Sequence, residues 1–298
     1  MAKGYRVVGT TRAARAATDA GGDGVELRAL DLEDAGAVRA LVAALIPDEV
    51  YHLAAASRVD ASWEDPAAVI RANAGATATL LDAVRRGAPA ARVVLAASAE
   101  VFGEPAAAPQ SERTPIAPVS PYGTSKAASL WLGRNMRERY GLHVASAILF
   151  NHESPRRPPH FVTRKITRAV ARIARGELQE LRLGSLESRR DWGYAGDYVE
   201  AMWRMAQRPG PEDLVIGTGT TRSVREFCEV AFGIVGLDAR AHVRVDPALV
   251  RPREPVEFVA DASRAAACLG WRPEMAFDTL VAQMVAADLD DLRRGASV

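Results

Sequence analysis

The stretch Ser120-Pro121-Tyr122-Gly123-Thr124-Ser125-Lys126 places a tyrosine four residues before a lysine. On a helix this spacing puts both side chains on one face. The ammonium of Lys126 can then lower the pKa of Tyr122, which is about 10 when unperturbed. A tyrosine that ionises more easily is a proton shuttle for alcohol–ketone chemistry. A helix start with an exposed Tyr and Lys is the alternative, and the surrounding chain must decide between the two.

Composition excludes several classes of protein. The chain has 298 residues, of which 48% are hydrophobic and 25% charged, and its net charge is +1. These values are typical of a globular protein and give no charge-based sign of binding to nucleic acid or to an anionic membrane. No apolar run approaches the roughly 18 residues of a membrane span, and the N-terminus lacks a signal-peptide core. The only two cysteines, Cys228 and Cys268, are interpreted as core residues, so we expect a cytoplasmic protein.

Hydrophobic periodicity predicts alternating strands and helices in the first half of the chain. The predicted strands are Arg6–Gly9, Val25–Leu30, Val50–Leu53, Arg92–Ala97 and His143–Phe150. The predicted helices are Ala35–Leu45, Pro66–Arg86 and the helix that carries Tyr122 and ends near Tyr140. This alternation indicates an α/β fold with a doubly wound parallel sheet.

Small or polar loops follow three of these strands, at 54–57, 98–100 and 151–157. In a doubly wound sheet, the ligand crevice lies beyond the carboxyl ends of the strands. Ser98 could donate a hydrogen bond to a substrate oxygen, and Glu100 could act as an acid or base. Taken singly, Ser98 is also typical of a turn cap and Glu100 of a surface charge.

After Phe150 the pattern is less regular. Phe161–Gly176 is predicted to be a basic helix, whose arginines suit either a solvated face or phosphate contact. A short strand and then a helix are predicted within Trp192–Met205. The remaining predictions are strands at Leu214–Gly217 and Val256–Ala260, and helices at Ser223–Val235, Ser263–Leu269 and Phe277–Arg294. No linker divides the chain, so we expect a smaller C-terminal lobe interleaved with the sheet.

Tyr122-x-x-x-Lys126 after a Ser-x-Glu strand end resembles the extended short-chain dehydrogenase/reductase superfamily. Further motifs are similar to GDP-mannose 4,6-dehydratases, over about residues 4–294. These motifs are NHESPRR (151–157), FVTRKI (161–166), RDWGY (190–194), DYVEAMW (197–203), SVREF (223–227) and RPREPV (251–256). The resemblance implies a Rossmann-type NADP-binding domain at 1–150 and 191–219, and a GDP-sugar-binding lobe at 151–190 and 220–298.

The resemblance also implies a catalytic set of Ser98, Glu100, Tyr122 and Lys126. Tyr122 would take the proton of the C4 hydroxyl as NADP takes the hydride. Ser98 would bond the C4 oxygen, and Glu100 would remove the C5 proton before water leaves from C6. The hydride would return to C6, giving GDP-4-keto-6-deoxymannose. Ser98 replaces the usual threonine of the family, a change that keeps the hydroxyl, and Phe102 replaces a frequent tyrosine.

Binding residues are implied in the same way. Besides Tyr122 and Lys126, the cofactor contacts would be Arg12, Asp31, Leu32, Leu53, Ala54, Ala55, Ala56, Ser57, His152 and Arg157. Arg12 matches an arginine that contacts the adenosine 2′-phosphate, which favours NADP over NAD; a solvated loop charge is its alternative. GDP-mannose contacts would be Asn151, Lys165, Arg190, Arg225, Arg251 and Glu254. For Lys165 and Arg225 a salt bridge is an equally good explanation. No set of side chains has metal-ligand spacing.

One part of the family pattern is missing from this sequence. The family begins with a strand and a Gly-x-x-Gly-x-x-Gly turn, whereas Gly21–Gly24 precedes a strand instead of following one. We expect a gap beside Tyr5–Gly9 and Val50–Leu53 in the sheet, and a true start that lies upstream. A truncated chain that does not turn over is the alternative.

Other activities and assemblies remain open at this point. A nucleotide-sugar reductase or epimerase of the same superfamily is the main enzymatic alternative, and such an enzyme needs no base at Glu100. A truncated subunit that binds a partner or a nucleotide sugar without turnover is the alternative outside catalysis. The resemblance also suggests a homodimer or a homotetramer.

Overall fold

The computed structural model describes residues 3–12, 24–250 and 258–295, and the chain forms two compact units. The first unit comprises 1–96 and 120–146, and the second comprises 97–119 and 147–298. These units differ in their bounds from the predicted cofactor and substrate domains. The assignment of a binding function to each domain stays a prediction.

The first unit alternates strands with helices, as its periodicity predicts. Its strands are β1 (Val8–Thr11), β2 (Glu26–Ala29), β3 (Glu49–His52), β4 (Arg92–Ala96) and the beginning of β5 (Val144–Leu149). Its helices are α1 (Ala35–Leu45), α2 (Pro66–Ile70), α3 (Ala76–Gly87) and α4 (Pro121–Tyr140). A π-helical turn over Arg71–Gly75 joins α2 to α3, so the helix predicted over 66–86 is interrupted there.

Helix α4 has clear signals at both ends. The Ser120 hydroxyl accepts a hydrogen bond from the Gly123 N–H at 3.0 Å, and Pro121 occupies the first helical position. Gly141 ends the helix with a φ of 66°, a left-handed conformation that glycine adopts without steric cost. These signals set both ends of the helix that carries Tyr122 and Lys126, and its end at Tyr140 agrees with the prediction.

Strand pairing in the first unit is parallel. β1 pairs with β2 and β3 with β4, and the Val93 N–H donates to the His143 carbonyl at 2.8 Å, just before β5. β1 and β3 belong to different sheets, and within the described residues no strand bonds to the free edge of either. This is the gap that the sequence predicts beside these two strands.

The apolar core of the first unit lies between its strands and helices. Val93 and Leu95 of β4 pack with Leu81 and Val84 of α3 and with Val38 of α1, all nearly fully buried. Burying one such side chain contributes roughly 1.5–3 kcal/mol. This packing fixes the carboxyl end of β4, next to which Lys126 is found.

The second unit contains more short strands than the sequence predicts. Its strands, besides the end of β5, are β6 (Asn151–Glu153), β7 (Leu181–Leu183), β8 (Arg189–Tyr194), β9 (Leu214–Ile216), β10 (Thr221–Ser223) and β11 (Val243–Val245). Its helices are α5 (Val162–Ala174), α6 (Ala195–Gln207), α7 (Val224–Ile234), α8 (Ala239–His242), α9 (Ser263–Leu269) and α10 (Phe277–Arg293). β5 pairs with β9, and β8 lies between β6 and β10.

Aromatic side chains form the centre of the second unit's core. Trp192 of β8 lies 5.4 Å from Phe227 of α7 and 6.4 Å from Phe277 of α10, measured between ring centroids. Cys228 is buried in the same core, and neither Cys228 nor Cys268 forms a disulfide. Cys228 is therefore a core residue, as predicted, whereas Cys268 is only half-buried.

The late strand predicted over 256–260 is not a regular strand where the structure describes it. Residues 256 and 257 lie outside the described residues, and Ala260 forms only an isolated bridge with Gln110. The Gln110 side chain accepts a hydrogen bond from the Val259 N–H at 3.0 Å, while its backbone N–H donates to the Val259 carbonyl at 2.8 Å. A side chain thus replaces one bond of a strand ladder here.

Asp191 of β8 joins two further segments of the second unit. Its carboxylate is fully buried and accepts hydrogen bonds from the backbone N–H groups of Thr218 at 2.9 Å, Gly219 at 2.8 Å and Ala260 at 3.0 Å. It also accepts one from the Thr218 hydroxyl at 2.6 Å. Four donors compensate the burial of this carboxylate.

Within the described residues, no helix is both long and apolar enough to span a bilayer.

Candidate active site

The structure places Tyr122 and Lys126 in the first turns of α4, both nearly buried. The Lys126 Nζ lies 6.0 Å from the centroid of the Tyr122 ring. The same nitrogen donates a hydrogen bond of 2.7 Å to the carbonyl of Ala96, the last residue of β4. The predicted pair therefore lies on one helix, with its ammonium held at the carboxyl end of a strand.

Burial lowers the pKa of Lys126 to about 8. Below that pH the ammonium still predominates, as it must if Lys126 is to favour a tyrosinate. His52, the last residue of β3, is also buried, and its pKa is lowered to about 4 by burial first and by the charge of Lys126 second. A neutral imidazole therefore lies near this ammonium, and no sequence pattern pointed to it.

The loop after β3 is fixed to α4 by Asn73 of the π turn. The Asn73 Oδ1 accepts from the Ala56 N–H at 2.8 Å, and its Nδ2 donates to the Ala56 carbonyl at 3.1 Å. The same Nδ2 donates to the Ser125 hydroxyl at 2.8 Å. Four of the five residues predicted to lie under a cofactor are exposed in this loop, namely Leu53, Ala54, Ala56 and Ser57, while Ala55 is half-buried. The loop is thus held in position by Asn73 through the backbone of Ala56, while most of its residues are exposed to solvent.

The other predicted cofactor residues of the first unit lie near strand ends. Arg12 directly follows β1 and is exposed. Asp31 follows β2 and accepts a hydrogen bond from the Glu33 N–H at 3.0 Å. Leu32 is half-buried against the core of the unit. Their contact with an adenosine remains a prediction.

Ser98 and Glu100 lie in the second unit, at the start of a short 3₁₀ turn over Ala99–Phe102. The Ser98 hydroxyl accepts a hydrogen bond from the Glu100 N–H at 3.3 Å, so the capping role that the sequence left open is present. Because a hydroxyl that accepts a bond keeps its own proton, Ser98 can still donate to a substrate oxygen. Tyr122 and Lys126 belong to the other unit, and convergence of the two pairs on one substrate remains a prediction.

A glycine ends this 3₁₀ turn for a steric reason. Gly103 has a φ of 63°, and a Cβ at this position would lie only 1.9 Å from the Ala117 carbonyl oxygen. Any larger residue would force the segment that follows Glu100 to move.

Strand β6 carries Asn151 and His152 beside β8, which carries Arg190. The His152 Nδ1 lies 2.9 Å from the Phe150 carbonyl, which can only accept, so this nitrogen carries a proton. Arg190 donates to the Arg189 carbonyl at 2.7 Å. The two strands thus bring together residues predicted to contact cofactor and GDP-sugar.

Three other predicted cations have partners within the second unit. Arg157 lies 3.2 Å from the Glu153 carboxylate, and Lys165 donates to a backbone carbonyl, that of Arg182, at 2.7 Å. The Arg225 Nε donates to Glu187 at 3.0 Å, which is the salt bridge that the sequence offered as the alternative. Arg251 and Glu254 lie outside the described residues.

A cleft of about 780 Å³ in the second unit lies elsewhere. It is lined by Pro109, Thr218, Asp261, Ser263 and Arg272 among others, and by none of the predicted site residues. No group of three His, Cys, Asp or Glu side chains suited to a metal ion occurs in the described part of the chain. The candidate active site therefore rests on the residues at the strand ends.

Comparison with known proteins gives the family. The model of the family described as GDP-mannose 4,6 dehydratase matches residues 1–284. The chain belongs to this dehydratase family. It is 47% identical over 268 residues to GDP-mannose 4,6 dehydratase 1 of Arabidopsis thaliana, an alignment that covers 89% of this chain and 74% of that one. It is 40% identical over 282 residues to the GDP-mannose 4,6 dehydratase of Homo sapiens, covering 88% and 76% of the two chains.

Solved structures agree with the fold predicted for this dehydratase family member. The structure of RMD from Pseudomonas aeruginosa, complexed with NADPH, superimposes with a TM-score of 0.83 at 23% identity, and the match covers 96% of this chain and 99% of that one. The predicted α/β, Rossmann-type fold is thereby confirmed. Asn73 and His52 lie at the candidate site of this dehydratase and were not predicted from the sequence.

Proposed function

We propose that the protein converts GDP-mannose into GDP-4-keto-6-deoxymannose and water. The observation that carries this proposal is the placement of Lys126, buried on α4 and 6.0 Å from the Tyr122 ring. An ammonium held beside a phenol suits proton transfer from a sugar hydroxyl. Membership of the dehydratase family supports the substrate and the reaction.

We further propose that the cofactor is NADP. When bound, NADP would supply the hydride chemistry that oxidises C4 and reduces C6 of the sugar. The nicotinamide ribose of NADP would lie against the loop 53–57, most of which is exposed, and the Lys126 ammonium. His152 and Arg157 are proposed as further contacts to NADP. Exposed Arg12 suits the adenosine end because a guanidinium can bind two phosphate oxygens at once, which favours a 2′-phosphate.

The chain's own side chains would carry the proton transfers. Tyr122 takes the proton of the C4 hydroxyl, and Ser98 donates a hydrogen bond to the C4 oxygen. Glu100 removes the C5 proton, which a C4 ketone acidifies, and passes it to the C6 hydroxyl, which leaves as water. The proton that Tyr122 took from the C4 hydroxyl balances the one that returns to C5 as C6 is reduced. C4 is oxidised and C6 reduced, so the reaction needs no external oxidant.

The nucleotide-sugar would be held mainly by cations of the second unit. Arg190 and Asn151 on the paired strands β8 and β6 suit this role. Lys165 and Arg225 would have to exchange their observed partners, the Arg182 carbonyl and the Glu187 carboxylate, for the ligand. Arg251 and Glu254 are proposed on the family resemblance.

The test incubates purified protein with GDP-mannose, with and without added NADP, and follows the 4-keto-6-deoxy product by mass spectrometry. One arm contains added NADP because no Gly-x-x-Gly-x-x-Gly turn, which binds the cofactor in the family pattern, follows a strand in this sequence. Product formation supports the proposal. Absence of product in every arm, with a protein shown to be folded, contradicts it.

Substitution of Glu100 separates a dehydratase from other nucleotide-sugar enzymes. We expect Glu100→Gln to bind GDP-mannose normally but to lose at least 100-fold of its water elimination, because the amide cannot accept the C5 proton. Binding is measured by calorimetry and elimination by product formation. A reductase or an epimerase needs no such base, so normal turnover in this variant would favour those activities.

Substitution of Arg12 tests the choice of cofactor. We expect Arg12→Ala to lower the preference for NADP over NAD by about 10-fold or more, since one charge-assisted phosphate contact is lost. The measurement compares kcat/KM with each cofactor. An equal loss with both cofactors would show that Arg12 does not read the 2′-phosphate.

We also propose that the protein assembles as a homodimer or a homotetramer. Trp131 on α4 is 49% exposed and Ile70 on α2 is 36% exposed, and Trp63 nearby in the sequence is 63% exposed. Large aromatic side chains are enriched in protein interfaces, which supports burial of these side chains in an assembly.

A further inference from the structure

Ser125, which precedes Lys126, is fully buried and links two parts of the first unit. Its hydroxyl donates to the Tyr122 carbonyl at 2.7 Å and accepts from the Asn73 Nδ2 at 2.8 Å. Asn73 in turn holds both backbone groups of Ala56. A chain of hydrogen bonds therefore runs from the loop after β3, through Asn73 and Ser125, to the backbone of Tyr122.

The direction of each bond in this chain is determined. The Ala56 N–H can only donate, so it fixes Asn73 Oδ1 on that side and turns Nδ2 towards Ser125. Ser125 must therefore accept from Asn73, and its own proton goes to the Tyr122 carbonyl. The amide of Asn73 uses its oxygen and both N–H groups, so it cannot rotate without breaking several bonds.

A second contact between hydroxyl groups lies one turn further along α4, and the direction of its hydrogen bond is not determined. Thr77 and Ser129 lie 3.0 Å apart, Thr77 also contacts the Asn73 carbonyl at 2.8 Å, and Ser129 contacts the Ser125 carbonyl at 3.0 Å. Two hydroxyl protons cannot serve three contacts as donors. This contact joins α3 to α4 but makes no bond to Tyr122, so Ser129 is a matched control for Ser125.

We propose that Ser125 is a positioning residue that sets Tyr122 relative to the loop at 53–57. The proposal rests on the proposed function, in which Tyr122 takes the proton of the sugar hydroxyl. Proton transfer requires the phenol to be within hydrogen-bond reach of that hydroxyl, and a shift of about 1 Å can cost 100-fold in rate. Ser125 acts by fixing the backbone from which the Tyr122 side chain extends.

The activity arm compares Ser125→Ala with Ser129→Ala, both of which remove one buried serine hydroxyl from α4. We expect Ser125→Ala to lower kcat roughly 10- to 100-fold while KM for GDP-mannose stays within about 2-fold. Ser129→Ala is expected to keep kcat within about 3-fold. Equal losses of kcat in the two variants, or a loss confined to KM, would overturn the proposal.

A second arm needs no activity. The ionisation of Tyr122 is followed by ultraviolet difference titration against the same protein carrying Tyr122→Phe. Both serine variants retain Lys126 and His52, the two titratable groups near Tyr122 in the first unit. We expect Ser125→Ala to move the Tyr122 titration to higher pH because the phenol is less well placed against Lys126, and Ser129→Ala to leave it unchanged. An unshifted titration in Ser125→Ala contradicts the proposal.

A conservative variant distinguishes the loss of the Ser125 hydroxyl from a general folding defect. Ser125→Thr keeps the hydroxyl, and threonine in a helix can still bond a carbonyl of the preceding turn. We expect it to restore the wild-type titration, whereas Asn73→Asp, which cannot donate to Ser125, is expected to reproduce the Ser125→Ala shift. If the wild-type protein makes no dehydrated product but these titration differences are observed, the proposed function fails and the positioning role stands.

Discussion

At the scale of single residues, two buried nitrogen bases lie at neighbouring strand ends in the first unit. Burial lowers the pKa of His52 to about 4 and that of Lys126 to about 8. Both folded-state values lie below the ordinary ones, since each charged form is disfavoured away from water. The folded protein therefore binds fewer protons here than the unfolded chain does.

The shift of His52 predicts an acid-sensitive contribution to stability. The unfolded imidazole takes up a proton below pH 6.5, whereas the folded one does so only near pH 4. The contribution is present above pH 6.5 and is lost as the pH falls to 4, by about 3 kcal/mol in the free energy of unfolding. We expect the His52→Asn variant to lack this loss of stability between pH 6.5 and 4, as measured by urea unfolding at several pH values.

His160→Asn is the control for this measurement, because His160 is exposed in the second unit. Its unfolding curve should keep the wild-type dependence on pH. If His52→Asn follows the wild type between pH 6.5 and 4, His52 is not the group responsible.

Residue spacing made Tyr122 and Lys126 predictable, because both belong to one helix with clear ends. Asn73 was not predictable in this way. An asparagine within a helical stretch carries no local signal, and its function depends on Ala56 and Ser125, which are 17 and 52 residues away in the sequence. His52 was missed for the same reason, since only the packing of β3 shows that it is buried near Lys126.

At the scale of elements, helices with end signals were predicted well. Helices α1 and α9 begin and end where predicted, and α4 ends at Tyr140 as expected. Asp34, Gly141 and Gly270 are end signals visible in the sequence. The three-residue strands β6, β7, β10 and β11 were not predicted, whereas β9, of the same length, was predicted because it is uniformly apolar. A strand so short has no periodicity of its own and exists only through pairing with distant segments.

The buried ion pair between α5 and α10 yields a prediction on stability. Arg164 was expected to lie on a solvated or phosphate-binding face, but its guanidinium is buried and lies 2.9 Å from the fully buried Asp288 carboxylate. We expect Asp288→Ala to lower the free energy of unfolding by up to roughly 3–5 kcal/mol, because the buried Arg164 guanidinium then keeps only its longer contact of 3.7 Å with the more exposed Asp291. Chemical denaturation measures this loss.

Two further variants define the origin of that loss. Arg164→Met combined with Asp288→Leu removes both charges and should recover most of the stability. On the same helix α10, the Asp290–Arg293 pair is exposed, and Arg293→Ala should cost less than about 1 kcal/mol. An equal cost for Asp288→Ala and Arg293→Ala would show that burial of the pair does not matter.

At the scale of the whole molecule, the family and its fold could be predicted because long motifs occur in order along the chain. The bounds of the compact units could not, since the segment 97–119 belongs to the second unit although it lies between two segments of the first. The assignment of this segment to the second unit depends on tertiary packing, which local sequence patterns do not predict.

The proposed assembly can be tested through its exposed apolar surface. We expect Trp131→Glu to move the molar mass measured by light scattering towards that of the 31.9 kDa chain, because a charge in an interface core is costly to desolvate. Val199→Glu, on an exposed position of α6, should leave the mass unchanged. A wild-type mass of about 32 kDa would contradict assembly altogether.

The four-donor arrangement at Asp191 has a kinetic consequence. The amide protons of Thr218, Gly219 and Ala260 all donate to one carboxylate, although they come from two separate segments. If the Asp191 carboxylate moves away, all three N–H groups lose their hydrogen-bond acceptor at once. Their exchange with deuterium should therefore follow a single opening event. Hydrogen–deuterium exchange would then report these two segments as one cooperative group, and Asp191→Asn should accelerate exchange in both.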